Sequence, residues 1–145
     1  MRPRACPTAG TLDLVGERWS LVVLREVCVG IRRYAGIRAN TGAPGDVLTK
    51  RLRSLEAAGI LERRQYQDRP PRFEYHLTGA GQALEPVLIG LRDRGLRHLR
   101  DPPPAPRFLH TRGADVETRV VRAQCGEPLG GRTGARTGGG DPFGP

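Results

Sequence analysis

Lysine is almost missing from this chain. Lys50 is its one lysine, so every other basic residue is arginine, which stays charged and offers phosphate a planar fork of donors. No apolar run approaches the roughly 20 residues needed to span a bilayer. The opening MRPRACPTAG lacks the apolar core of a secretory signal. Both absences point to the cytoplasm, where Cys6, Cys28 and Cys125 are expected to be reduced. None of the three belongs to a C-x-x-C pair, which argues against a disulfide framework. His110 is the one ligand type near Cys125, and four zinc ligands cannot be assembled from the two, so no metal is expected. There is no Gly-rich cofactor loop and no internal repeat. No cofactor is expected.

What is present is positive charge, focused. At 145 residues the chain suits one domain with a modest core and loose ends. Its formal charge is +9. Residues 32–72 hold ten Lys/Arg against four acids (Asp46, Glu56, Glu62, Asp68), a net +6 in under a third of the chain. Such focusing favours a polyanion, and nucleic acid before others.

The stretch GDVLTKRLRSLEAAGILERR, residues 45–64, says how that charge is displayed. Leu48, Leu52 and Leu55 recur at helical spacing with Ala58 close by and make one buried face. Thr49, Lys50 and Arg53 are read as the opposite face. Gly59 ends the helix in a left-handed turn, and Ile60 and Leu61 open an extended run with Arg63 and Arg64 behind them. A positive helix followed by a positive hairpin is the core of a winged helix-turn-helix.

Upstream, Cys6 is placed as N-cap of a short helix from Pro7 to Val15 that stops at Gly16. A second helix runs from about Glu17 to Val29, burying Trp19, Val22, Val23, Leu24 and Val27. Arg32 and Arg33 precede a short helix carrying Tyr34 and Ile37, and Asn40-Thr41-Gly42 is read as a turn. The hairpin is assigned as strand Leu61–Tyr66, turn Gln67–Arg72 with Pro70 and Pro71 at its tip, and strand Phe73–Leu77. Thr78 caps a last helix to about Arg100, kinked at Pro86, with Leu84, Val87, Leu88, Leu91 and Leu99 as its stripe. The fold class is therefore mainly α with a small β-hairpin wing (α+β). The winged helix gains an extra N-terminal helix and a C-terminal dimerisation helix. Domain bounds are 5–100 for the winged helix, 101–129 for a Pro-rich linker and small appendage, and 130–145 for a disordered tail. Val116, Val120 and Val121 give the appendage a strand-like character.

Three blocks, CPTAGTLDLVGERWSLVVLREV, VLTKRLRSLEAAGILERR and PPRFEYHLTGAGQAL, resemble the signature blocks of the HxlR family of MarR-like bacterial transcriptional regulators. The resemblance covers residues 5 to about 95. It implies a homodimer on palindromic double-stranded operator DNA, with the outer helices as dimer interface. One departure is APGD, where the family has an apolar residue and Ser at the start of this helix. Pro44 has no cap oxygen to offer, while Asp46 suits the helix dipole.

Within that frame Thr49, Lys50 and Arg53 are the recognition residues. Lys and Arg can meet guanine O6 and N7, and Thr a thymine methyl or a phosphate. A solvated face with an internal Arg53–Glu56 pair is the alternative. Arg69 and Arg72 bracket a wing tip stiffened by prolines, and Arg32 and Arg33 stand at a helix N-terminus that favours phosphate. Leu12, Val15, Leu84, Leu88 and Leu91 are assigned to the dimer interface. Cys6, with Arg2 and Arg4 nearby, sits where both features stabilise a thiolate. The resemblance implies a redox-sensing role for it, with a small electrophile or oxidant as effector, against the plainer reading of a half-buried structural residue. Cys28 and Trp19 are read as core. The function expected is a dimeric, sequence-specific regulator in the cytoplasm, associated with the nucleoid. A non-specific architectural DNA-binding protein is the alternative. A Cys-dependent redox enzyme is disfavoured, because no His or acid is spaced to activate Cys6.

Overall fold

A computed structural model describes residues 6–105, 107–109 and 111–129. Arg2, Arg4, His110 and the 130–145 tail lie outside the described residues. The elements are α1 (Pro7–Val15), α2 (Arg18–Cys28), α3 (Tyr34–Thr41), α4 (Gly45–Ala57), β1 (Leu61–Asp68), β2 (Pro71–Leu77), α5 (Gly79–Gln82) and α6 (Glu85–His98). This is a winged helix-turn-helix with an added first helix and a long last one.

Helix ends follow local chemistry. Cys6 caps α1, its Sγ accepting the Ala9 N–H at 3.3 Å, with Pro7 at the first helical position. Behind α4, Gly59 takes φ +71°, which lets its own N–H reach Glu56 O and the Ile60 N–H reach Leu55 O, both at 3.0 Å. An L side chain would strain that turn. Thr78 caps α5 by accepting the Gly81 N–H, and its hydroxyl also donates to Gly59 O at 2.5 Å, pinning the wing's base to the end of α4.

The core is one cluster. Val23, Leu24 and Val27 of α2 meet Ile37 of α3 and Leu48, Leu52 and Leu55 of α4, and Ile60 and Leu61 carry the cluster into the wing. α2 is the hub, packed against α1, α3, α4, β2 and α6. Its one buried acid, Glu26, accepts from Arg25 Nη2 at 2.6 Å and from Asn40 Nδ2 at 2.8 Å, which joins α2 to α3. Trp19 and Cys28 pack against this core, half-buried.

Several expected boundaries are corrected. Asn40 and Thr41 belong to α3, because the Asn40 amide is held by Glu26 rather than by its own backbone, and Gly42 alone makes the turn. The stretch Gln67–Arg72 is mostly strand: β1 reaches Asp68, β2 starts at Pro71, and Arg69–Pro70, joined by a cis peptide, forms the tip. Pro71 is tolerated as the first residue of its strand. The register shifts between Gln65 and Gln67, leaving Tyr66 without a partner in the ladder. Pro86 does not kink a long helix but starts a new one, near the N-terminus of α6, where its missing N–H costs nothing. Val15 and Leu88, expected at the dimer interface, are buried in the single chain's core, and Leu84 is packed against it.

The appendage is tied down. Asp93 of α6, buried, accepts the Thr118 N–H at 3.0 Å and hydroxyl at 3.1 Å, and Arg92 donates to Val116 O at 2.5 Å. The Phe108 ring is buried under the Arg92 guanidinium. Among its described residues, isolated bridges join Leu109 to Asp115 and Val121 to Pro128. Burial pushes the Asp93 carboxyl up, but the Thr118 and Arg92 hydrogen bonds outweigh it and hold the group below the usual carboxylate range. A lowered folded-state pKa stabilises above the unfolded value of about 3.9 and is lost as pH falls through the folded value. Wild type should therefore unfold at higher denaturant than Asp93→Asn near neutrality, and the gap should close in acid. A gap unchanged between pH about 7 and about 2 would contradict this role for Asp93.

Candidate nucleic-acid interface

The burial of α4 decides what it shows to solvent. Each residue turns the helix by about 100°, so Lys50 falls almost opposite Leu48, and Asp46, Arg53, Ser54 and Ala57 flank it. All five are exposed, whereas Leu48, Leu52 and Leu55 are at most 1% exposed. Thr49 departs from expectation. It lies on the flank, half-buried, with its hydroxyl donating to Gly45 O at 2.8 Å and 3.4 Å from Tyr34 Oη. The Arg53–Glu56 pair of the alternative reading is replaced by one across the junction, Glu56 lying 3.8 Å from Arg63 of β1. Arg51 turns away, 3.7 Å from Glu17.

The start of α4 explains APGD. Pro44 caps without a side-chain bond, and its carbonyl accepts the Leu48 N–H at 2.9 Å. Tyr34 Oη donates to Gly45 O at 3.1 Å. A Cβ on Gly45 would sit 3.3 Å from Tyr34 Oη and 3.6 Å from the Arg38 guanidinium carbon, so glycine lets α3 close on the helix start. Arg38, exposed beside the N-terminus of α4, is a candidate that the sequence reading left out. Its position one turn after Tyr34 on α3 was the available signal.

The wing is joined to both neighbours. The Arg33 guanidinium lies 4.1 Å from the centre of the Tyr66 ring, so the unpaired wing residue rests against the N-cap of α3. The Tyr75 N–H donates to Arg32 O at 2.8 Å, extending the β2 edge. Arg63 covers the Phe73 ring at 4.5 Å. At the tip, Gln67 Nε2 donates to Arg69 O and Pro70 O, leaving the Arg69 and Arg72 side chains exposed. Thus Lys50 and Arg53 are exposed on α4 and Arg69 and Arg72 at the wing tip, while Arg32 and Arg33, exposed in the segment before α3, are tied to the wing by the Tyr75 N–H and the Tyr66 ring.

The described residues hold no group of three or more His, Cys, Asp or Glu that could bind a metal. No helix among them is long and apolar enough to cross a membrane. Burial pushes the Cys28 thiol up to about 11, with the Glu85 carboxylate adding to the shift.

The HxlR-like helix-turn-helix family matches residues 14–102, from the end of α1 through α6. The chain belongs to the HxlR family. An uncharacterized HTH-type transcriptional regulator of Mycobacterium tuberculosis is 39% identical over 123 residues, 83% of this chain and 78% of the relative. One from Synechocystis is 43% identical over 91 residues, 62% of this chain and 67% of that protein. Among solved structures, PA1607 superposes with a TM-score of 0.75 at 28% identity, covering 88% of this chain and 91% of its own. The redox regulator HypR in its oxidized form superposes at 0.60 with 35% identity, covering 66% of this chain and 99% of HypR. The chain is an HTH-type transcriptional regulator, and its likeness to PA1607 reaches past the winged helix into the appendage.

Because Arg33 grips Tyr66, Tyr66→Ala should loosen the wing and weaken DNA binding without touching α4. Filter or anisotropy titrations should show the same loss, about threefold to tenfold, on every duplex sequence. A loss confined to one sequence would assign Tyr66 to base reading instead.

Proposed function

We propose that this HxlR-family chain is a homodimeric, sequence-specific regulator that binds a palindromic promoter operator and responds to oxidants or electrophiles through Cys6. The observation that carries the DNA reading is the outward ridge of α4, with Lys50 and Arg53 opposite a fully buried leucine stripe. In this geometry Lys50 and Arg53 enter the major groove and read base edges. Thr49, its hydroxyl engaged, offers its methyl to a thymine. Arg32, Arg33, Arg69 and Arg72 contact phosphate. Lys50→Ala and Arg53→Ala should each cost on the order of 1–3 kcal/mol and relax preference at one operator position. A dimer making about eight phosphate contacts should lose affinity with salt at a log–log slope of roughly −7. A shallow slope, near −3 or less, or equal affinity for all duplexes, would replace this reading with non-specific, architectural binding.

The dimer is supported by exposed leucines on the two outer helices. Leu12 of α1 is 54% exposed and Leu91 of α6 is 52% exposed, and both helices rest on α2. Leu14, Val87 and Leu99 extend the apolar surface, while Val15, Leu84 and Leu88 stiffen it from behind. Burying the remaining exposed half of two such leucines contributes about 1.5–3 kcal/mol per chain. Leu12→Glu should sediment as a monomer and lose tight operator binding. A wild-type monomer with tight operator binding would overturn the dimer.

The redox part rests on Cys6 capping the helix assigned to that interface, and on the likeness to HypR, a redox regulator, and to YodB, whose diamide-treated form has been solved. Forming a mixed disulfide at Sγ replaces the acceptor that holds the Ala9 N–H and puts bulk at the start of α1. Diamide with glutathione should lower operator affinity reversibly, and Cys6→Ser should abolish the response. Cys28→Ser and Cys125→Ser should retain it, the first because its thiol is held protonated. Unchanged operator binding with Cys6 shown by mass spectrometry to be glutathionylated would end the redox reading alone.

A further inference from the structure

Away from the DNA-facing ridge, α2 and α6 part around a cleft of about 250 Å3. Leu21 and Val22 form one wall and Leu88 and Leu91 the other, while Pro103–Ala105 cross over it. Phe108, buried, closes one end. The roof lies just beyond the end of the family match at residue 102, so the cleft is built by the extension and not by the winged helix alone.

Charge decides what fits. Among the described residues, the charged side chains in the lining are Arg25 and Arg92. Arg25 gives Nε and Nη2 to Glu26 at 2.9 and 2.6 Å, and Arg92 gives the same two groups to Asp93 at 3.0 and 2.7 Å. Each guanidinium is already neutralised by a buried carboxylate, so an anion entering the cleft would have to compete with both. A flat, uncharged molecule loses no hydration of charge and can lie between apolar walls with a guanidinium over its face. Arg92 already does this to Phe108, 5.2 Å from the ring centre.

We propose that this cleft binds an uncharged, mainly apolar, planar molecule of about ten heavy atoms, smaller than the drug-sized ligands of pockets of roughly 300–1,000 Å3. Arg25 connects it to the DNA-binding half. The carboxylate that holds Arg25 also holds Asn40 of α3, so a ligand that draws on Arg25 bears on the α2–α3 angle. This coupling rests on the regulator reading, whereas binding in the cleft does not.

The test uses the full chain, β-naphthol as neutral probe and β-naphthoate as its anionic counterpart, followed by calorimetry and ligand-observed NMR. β-Naphthol should bind with a Kd on the order of 10–100 µM, and the carboxylate at least about tenfold more weakly. Ala105→Trp from the roof and Val22→Phe from the α2 wall fill the space, and each should abolish binding in protein whose circular dichroism is unchanged. Absence of β-naphthol binding at about 1 mM, equal binding of both probes, or binding retained in both filled variants would overturn the site. Binding that appears only in monomeric Leu12→Glu would also overturn it, since a second copy of the chain would then be the occupant. Where the site holds, β-naphthol should shift operator affinity in wild type and not in Asn40→Ala. A bound probe with no effect on operator affinity would remove the coupling and leave the site.

Discussion

The interaction on which the rest depends is the burial of Leu48, Leu52 and Leu55 against α2. Rolling α4 by one residue, about 100°, would carry leucines toward water at about 1.5–3 kcal/mol each and drive Lys50 or Arg53 toward the core. The display of positive charge is therefore a consequence of core packing. The same constraint explains the wing. Ile60 and Leu61 are drawn into that core immediately after Gly59, which fixes where the hairpin leaves the body. Glu56 of α4 and Arg63 of β1 then face each other across the junction.

Much of this was legible because it is local. The helical period, the Gly59 stop, the Cys6 and Thr78 caps and the exposure of Lys50 and Arg53 depend on neighbours within a turn or two. What was not legible depends on residues far along the chain. Period alone separates front from back, but it leaves the flank undecided. Thr49 is half-buried because Tyr34, fifteen residues earlier, lies 3.4 Å away. The spacing of Val15 and Leu88 cannot tell a leucine or valine that faces its own core from one that faces a partner. The two prolines of the hairpin look alike in sequence, yet Pro70 is at the tip and Pro71 is in a strand. Phe108 and Thr118 carried no sequence signal at all, since their partners, Arg92 and Asp93, lie on α6.

Two buried acids repeat one device. Glu26 of α2 gives one carboxylate oxygen to the preceding Arg25 and the other to Asn40 of α3. Asp93 of α6 gives one oxygen to the preceding Arg92 and the other to Thr118 of the appendage. In each case the adjacent arginine supplies the counter-charge locally, and the free oxygen is spent on a distant element. Replacing such a group with a well-packed apolar one is often neutral or better for stability, whereas losing one partner costs about 3–5 kcal/mol. The arrangement therefore selects among packings more than it strengthens any of them.

That selection has a direction. Glu26 accepts Asn40 in one alignment of α2 and α3 and leaves a buried charge half-satisfied in others, so the helix-turn-helix angle is held by an interaction that penalises drift. Asp93 holds the appendage by the same logic. Both arginines that neutralise these acids line the cleft between α2 and α6. The two pins, one set against the DNA-binding helices and one against the extension, meet across a single apolar space. Under the proposed coupling, a change at that space bears on both pins, each of which has one satisfied arrangement rather than a continuum of them.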